Sequence, residues 1–267
     1  MGTPDRQQRL AALRDAIADI ERKPALAEAR PLLQADGAGF PLPAGGLLQE
    51  VFTDERRHAG AALGFALGQA RSLLTPSRPA VIYLQLAHEA QEMGLPYGPG
   101  LLSFGFDPAA LVLVRVANMT ELLWAAEEAI ACRAVAAVVA DIAGQHKLLD
   151  FTASRRLGLR SASAGASMLL LRYGTGREAS AAHLRWRITP ALSATRRFDA
   201  LAPGAPRWQA QLEKGILDNQ QTHWLLGWTH HGFIIRDAAN RVLFPASDAA
   251  LSGPVPAPLA HRLPATA

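Results

Sequence analysis

The chain has 267 residues, 49% of them hydrophobic and 19% charged, with a formal net charge of +4. This is ample for one large core. It contains no run of about 18 uncharged apolar residues, so a membrane-spanning helix is not expected. The lone Cys132 excludes an internal disulfide framework and fits a reducing cytoplasm.

The predicted elements begin with a helix over residues 7–28. Leu10, Leu13, Ile17 and Ile20 fall on a narrow apolar seam, suited to pairing with another chain or docking on the main domain. Nothing in Met1-Gly2-Thr3-Pro4-Asp5 has a secretory pattern. Residues 31–43, rich in Gly and Pro, read as a connector. The expected organisation is therefore a helix and linker over 1–35, a core over 36–241, and a Pro- and Ala-rich tail over 242–267 read as disordered.

Within the core, strands are predicted at 46–52, 80–86, 111–116, 134–140 and 167–172. Helices are predicted at 61–74, 119–132 and 147–164, and residues 95–101 as a Gly/Pro-rich loop. Cys132, in an Ala-rich helical stretch, is expected in the core. Short apolar runs between helices of about a dozen residues point to crossover units and a mostly parallel sheet. Strands at 182–188, 208–216, 223–228 and 233–236 lack intervening helices and read as an antiparallel edge. Trp208, Trp224, Trp228 and Phe233 are expected in the core rather than as a base-stacking platform.

The segment from Gly46 to Leu74 has the layout of a phosphate-binding loop, strand to turn to helix, without its chemistry. A working loop needs G-x-x-x-x-G-K-[ST], with glycines for backbone wrapping, a lysine for the terminal phosphates and a hydroxyl for magnesium. The turn runs from Thr53 through Asp54 and Glu55 to Ala59 and Gly60. Ala59 stands at the lysine position and Gly60 at the hydroxyl position. Asp54 and Glu55 add negative charge that repels a triphosphate. Asp141, after an apolar strand, occupies the place of a magnesium-linked aspartate, and reads as vestigial once the loop has lost its lysine. Glu89 and Glu92 follow the strand at 80–86 without support for a role as water-activating base. The pair His230-His231 lacks a third ligand, so no metal site is expected. Neither catalytic residues nor a cofactor is expected.

Charge is unevenly distributed. Residues 1–144 hold 12 Lys+Arg against 16 Asp+Glu, whereas residues 145–241 hold 14 against 6. The basic half offers Arg155, Arg156 and Arg160 on a helix, Arg185 and Arg187 on one strand face, and Arg196-Arg197. Each group fits contact with DNA or an acidic partner, or a solvated surface.

The order of elements resembles a RecA-type recombinase core. It is more closely similar to the ImuA family, RecA-like accessory proteins of bacterial mutagenic translesion synthesis. The similarity rests on residues 42–52, on Tyr97-Gly98-Pro99-Gly100-Leu101 with Phe104-Gly105-Phe106-Asp107-Pro108, on residues 149–157, and on Arg185-Trp186-Arg187-Ile188 with Pro206-Arg207-Trp208. It spans about residues 8–236. The resemblance implies a cytoplasmic protein of the SOS DNA-damage response, with a RecA-like α/β core and an N-terminal segment that mediates assembly. It implies action with ImuB, a catalytically defective Y-family polymerase homologue that connects to the sliding clamp, and with an error-prone replicative-type polymerase. RecA and a second copy are further candidate partners for the N-terminal seam. The expected function is a nonenzymatic adaptor; a direct DNA-binding module and a divergent ATPase are the alternatives.

Overall fold

The computed structural model of the chain describes residues 33–34, 40, 42–193, 198–199, 202–215 and 221–236. The seam on Leu10, Leu13, Ile17 and Ile20, the pair Arg196-Arg197 and the tail lie outside the described residues.

Two short strands, β1 (Leu33–Gln34) and β2 (Leu42–Pro43), pair antiparallel within the segment read as a connector. β3 (Leu48–Thr53) leads through a 3-10 turn at Arg56–His58 into α1 (Ala59–Ser72). β4 (Ala80–Leu86), α2 (Ala87–Met93), α3 (Gly98–Ser103), β5 (Leu111–Val116) and α4 (Met119–Ala131) follow. Next come β6 (Val135–Ile142), α5 (Phe151–Ala164) and β7 (Ser167–Tyr173). The last described strands are β8 (Leu184–Ala191), β9 (Arg207–Lys214), β10 (His223–Thr229) and β11 (Gly232–Arg236).

Nine of these strands form one sheet in the order β11-β10-β9-β8-β3-β7-β6-β4-β5. From β8 to β5 every neighbouring pair is parallel, and β8, β9, β10 and β11 pair antiparallel in turn. The mixed α/β class, with a mostly parallel sheet and an antiparallel C-terminal edge, agrees with the sequence. The parallel strands β3 and β6 are buried along their whole length. That is why β6 reads as a nearly continuous apolar run, whereas β3 buries Gln49, Glu50 and Thr53 among its apolar residues. β8, by contrast, alternates: Leu184, Trp186 and Ile188 are buried and Arg187 is exposed.

Each face of the sheet has its own core. On one, α1 inserts Phe65, Ala66 and Leu67 among Val51, Tyr83, Trp186 and the aromatic side chains of β9 and β10. Gly68 permits this packing, since an added Cβ would lie 2.6 Å from the Phe233 ring and 2.8 Å from the Trp228 ring. On the other face, α4 and α5 bury Leu122, Ala126, Ile130 and Leu157 over Leu48, Leu84, Val138 and Leu170. Both helices are capped by their own sequence. Asn118 Oδ1 accepts from Glu121 N–H at 3.0 Å while Glu121 Oε2 accepts from Ala117 N–H, just before the cap, at 2.9 Å.

Four local expectations are corrected. Cys132 is exposed, because it sits at the C-cap of α4, just past the inward-facing Ala126 and Ile130. Part of the 95–101 loop is helical, as α3, with Pro99 in its first turn. α5 starts at Phe151 rather than residue 147, because Asp150 Oδ1 accepts from Ala153 N–H at 2.7 Å and fixes the start. Asp141 lies inside β6 and not beyond it. Among the described residues no helix is long and apolar enough to cross a membrane.

Candidate functional site

The carboxyl ends of β3, β7, β6 and β4 bring together Asp54 and Asp141, the residues that the sequence suggested for a phosphate-binding loop and its metal. Thr53 ends β3, fully buried, and the chain turns through Asp54 and Glu55. The next three residues are wound into the 3-10 turn, with His58 N–H donating to Glu55 C=O at 2.9 Å. That turn uses backbone groups internally instead of opening them toward an anion. No side chain caps the start of α1, and Ala59 and Gly60 supply neither amine nor hydroxyl.

Asp54 is not a free negative charge. Arg177 Nη2 donates to its Oδ1 at 3.1 Å and Arg187 Nε to its Oδ2 at 2.8 Å. Burial raises the pKa of Asp54, but the two guanidiniums outweigh it and hold the carboxyl below its ordinary range. Arg177 also pairs with Glu213 at 2.8 Å. The sequence anticipated repulsion of phosphate by Asp54 and Glu55. The structure has Asp54 clamped by two arginines from the other half of the chain, and Glu55 paired with Arg57 at 2.6 Å on the surface.

Asp141 is buried at the end of β6 and both its oxygens are engaged. Tyr83 on β4 donates its phenol O–H to Oδ2 at 2.5 Å, and Tyr173 on β7 donates to Oδ1 at 2.6 Å. Gln85 Nε2 lies 3.4 Å from the same Oδ2. Burial is the main force raising the pKa of Asp141, opposed by the hydrogen bonds from Tyr173 and then Tyr83. Both tyrosines are pushed above the ordinary phenol range, chiefly by burial and then by the adjacent carboxylate. With Gly60 in place of the metal-binding hydroxyl and a phenol donating to each Asp141 oxygen, the residues present do not fit the magnesium site of a phosphate-loop enzyme. Among the described residues no group of three or more His, Cys, Asp or Glu could hold a metal.

Reasoning from sequence missed Tyr83 and Tyr173, and weighed Glu89 only as a water-activating base. Glu89 lies on α2, as its position after β4 allowed, yet it is buried and its Oε1 accepts from Ala143 N–H at 3.1 Å. Its Oε2 has no hydrogen-bond partner, nor do Thr53 Oγ1 and Gln85 Oε1. Burial, and then the charge of Asp141, raise the pKa of Glu89.

The candidate arginine contacts are mostly engaged within the chain. Arg185 Nε donates to the buried Glu50 at 2.8 Å, and Arg187 is held by Asp54. Arg156 and Arg160 share the two oxygens of Glu127, Arg160 at 3.0 Å. Arg155 is exposed, with no ion pair among the described residues. The acidic and basic halves of the sequence are thus sewn together: Glu50, Asp54 and Glu127 from the first meet arginines from the second.

The comparisons with known proteins bear on this constellation. No family model matches the chain. Protein ImuA of Caulobacter vibrioides, from strains NA1000/CB15N and ATCC 19089/CB 15, is 32% identical over 203 residues, covering 72% of this chain and 78% of the relative. The chain belongs to the ImuA family. The ImuA name carries no catalytic activity with it, so what the site does has to be argued from its chemistry.

Proposed function

We propose that this ImuA-family protein is a nonenzymatic, RecA-like adaptor in DNA-damage-induced mutagenesis. On this reading the sheet derives from a phosphate-loop core and persists as a scaffold that recruits or regulates ImuB, an error-prone replicative-type polymerase and RecA. The observation that carries the proposal is the double occupation of the ancestral site. An internal ion pair fills the loop mouth at Asp54, and two phenols fill the metal position at Asp141. Catalysis of phosphoryl transfer rests almost wholly on cradled phosphates and a bridging metal. Both supports are replaced here by groups that serve the fold.

Direct DNA binding is the second reading, and Arg155 with the half-exposed Arg156 and Arg160 favours it. Binding of that kind weakens steeply with salt. The adaptor reading is tested by co-purification of ImuB with the full chain and with a chain lacking its first 30 residues. The wild type is expected to retain ImuB at about 0.15 M salt. Leu13→Asp and Ile17→Asp, if the N-terminal seam is the contact, release it without loss of folding. Failure of the folded full chain to retain ImuB, the polymerase or RecA overturns the adaptor reading.

A further inference from the structure

The sheet has a topological switch beside the vestigial site. The chain leaving β4 passes through α2 to α3, whose Leu101 packs in the core on the α1 face. From the neighbouring strand β6 it passes to α5, whose Leu157 packs in the opposite core. Connections that diverge to opposite faces leave a crevice outside the carboxyl ends of the strands, the place where open α/β sheets take ligands. Such a cleft is present, about 290 Å³ in volume, between the segments that follow β4, β5 and β6.

Its chemistry is distinct from that of an anion site. Leu86, Met119 and Ile142 supply apolar wall, and His88 and His146 supply imidazoles. Glu89 contributes the one carboxylate of the lining. Glu89 is 7% exposed as a residue, its Oε2 is buried without a partner, and its Oε1 has a single donor in Ala143 N–H, leaving room for a second. Among the described residues no guanidinium or ammonium forms an ion pair with it; Arg56 pairs with Glu92 at 2.7 Å instead. A buried, underpaired carboxylate between apolar walls and imidazole planes matches a planar cation with an aliphatic stem.

We propose that this cleft receives an arginine side chain of a partner polypeptide, its guanidinium on Glu89 and its methylenes against Leu86, Met119 and Ile142. The inference rests on the adaptor reading and names the chemistry of one anchor. A nucleobase would also present N–H donors to a carboxylate. The acidic residues at this edge, Glu89 and Asp141, disfavour the phosphate that a nucleotide brings with it.

The test uses the full chain and Nα-acetyl-arginine amide at concentrations up to about 20 mM, the range suited to a single weak anchor, with binding followed by amide NMR. The neutral isostere Nα-acetyl-citrulline amide and adenosine run beside it. We expect saturable shifts of the Ala117, Gly144 and Gln145 amides with the arginine probe alone, weakened at least about tenfold in Glu89→Gln. Gly144→Leu gives a second variant, because an added side chain there meets nothing within 4 Å and fills the cleft from open space. It too should abolish the shifts, and it keeps Glu89 intact. Absence of binding, equal binding of the citrulline probe, unchanged binding in both variants, or binding of adenosine at the same amides would each overturn the proposal. None of these outcomes depends on ImuB, so the anchor can fail while the adaptor reading stands.

Discussion

The phenols of Tyr83 and Tyr173 grip opposite oxygens of Asp141, one from each strand flanking β6. This ties β4, β6 and β7 together at their carboxyl ends and sets a phenol in competition with any other ligand at each oxygen. Removing either hydroxyl leaves a buried charge underpaired. Tyr83→Phe and Tyr173→Phe are each expected to cost about 1–3 kcal/mol in urea unfolding. Because the groups act as one unit, Tyr83→Phe combined with Asp141→Asn should depart from additivity by at least about 0.5 kcal/mol. Additive, near-neutral effects would show that the tyrosines are spectators.

The arginines of β8 should divide by burial rather than by any role in binding. Arg185 pairs with Glu50, which is 2% exposed, so Arg185→Ala strands a buried charge and is expected to destabilise by about 3–5 kcal/mol. Arg187, with a side chain 44% exposed, should cost under about 1 kcal/mol when changed to Ala. Chemical denaturation of the two variants checks this. Equal, small losses would return Arg185 to the list of free surface cations.

Packing at α1 gives a third test. A Cβ at Gly68 would intrude on the Phe233 and Trp228 rings. Gly68→Ala should therefore lower stability by about 1–3 kcal/mol, despite the better helix propensity of alanine. A gain in melting temperature would mean that the β10–β11 ribbon gives way at little cost.

Much of the fold was legible from local pattern. The strand at Ala80–Leu86 was bounded by Pro79 and that at Leu111–Val116 by the Asn118 cap, so both were read residue for residue. Leu184, Trp186 and Ile188 announced the buried face of β8 by simple alternation. The short helix at Gly98–Ser103 was hidden by its own Gly-Pro-Gly composition, which locally signals a turn. The missing lysine and hydroxyl at Ala59 and Gly60 were plain, but what replaced them was not. Tyr83, Asp141 and Tyr173 are joined across 58 and 32 residues, and Asp54 meets Arg177 and Arg187 across 123 and 133. No window along the chain contains such a partnership; it exists only once the strand order is known. The same distance explains why the charge asymmetry suggested an external polyanion when much of it is internal pairing.

His183 should give the protein an acid-sensitive limb. Its Nδ1 accepts from Leu48 N–H at 3.1 Å, and burial, above all, holds the ring below its ordinary pKa. The unfolded chain then binds more protons just below about pH 6.5. This contribution is therefore full above that pH and declines as pH falls toward the folded-state value. Glu89 and Asp141, whose carboxyls are raised, act with the opposite sign: their contribution is present at low pH and lost as pH rises. Comparing wild type with His183→Asn at pH 7.5 and 5.5 isolates the histidine. The difference in stability between the two pH values should shrink in the variant, and an identical difference would assign the limb to other groups.

The proposed loss of nucleotide binding at the site around Asp54 and Asp141 is the claim most directly open to measurement. Calorimetric titration of the full chain with ATP and magnesium, up to about 1 mM, measures this directly. It should give no saturable heat in the wild type and none after Ala59→Lys with Gly60→Thr, since Asp54, Tyr83 and Tyr173 still fill the site. Micromolar affinity in the unmodified protein would contradict the account.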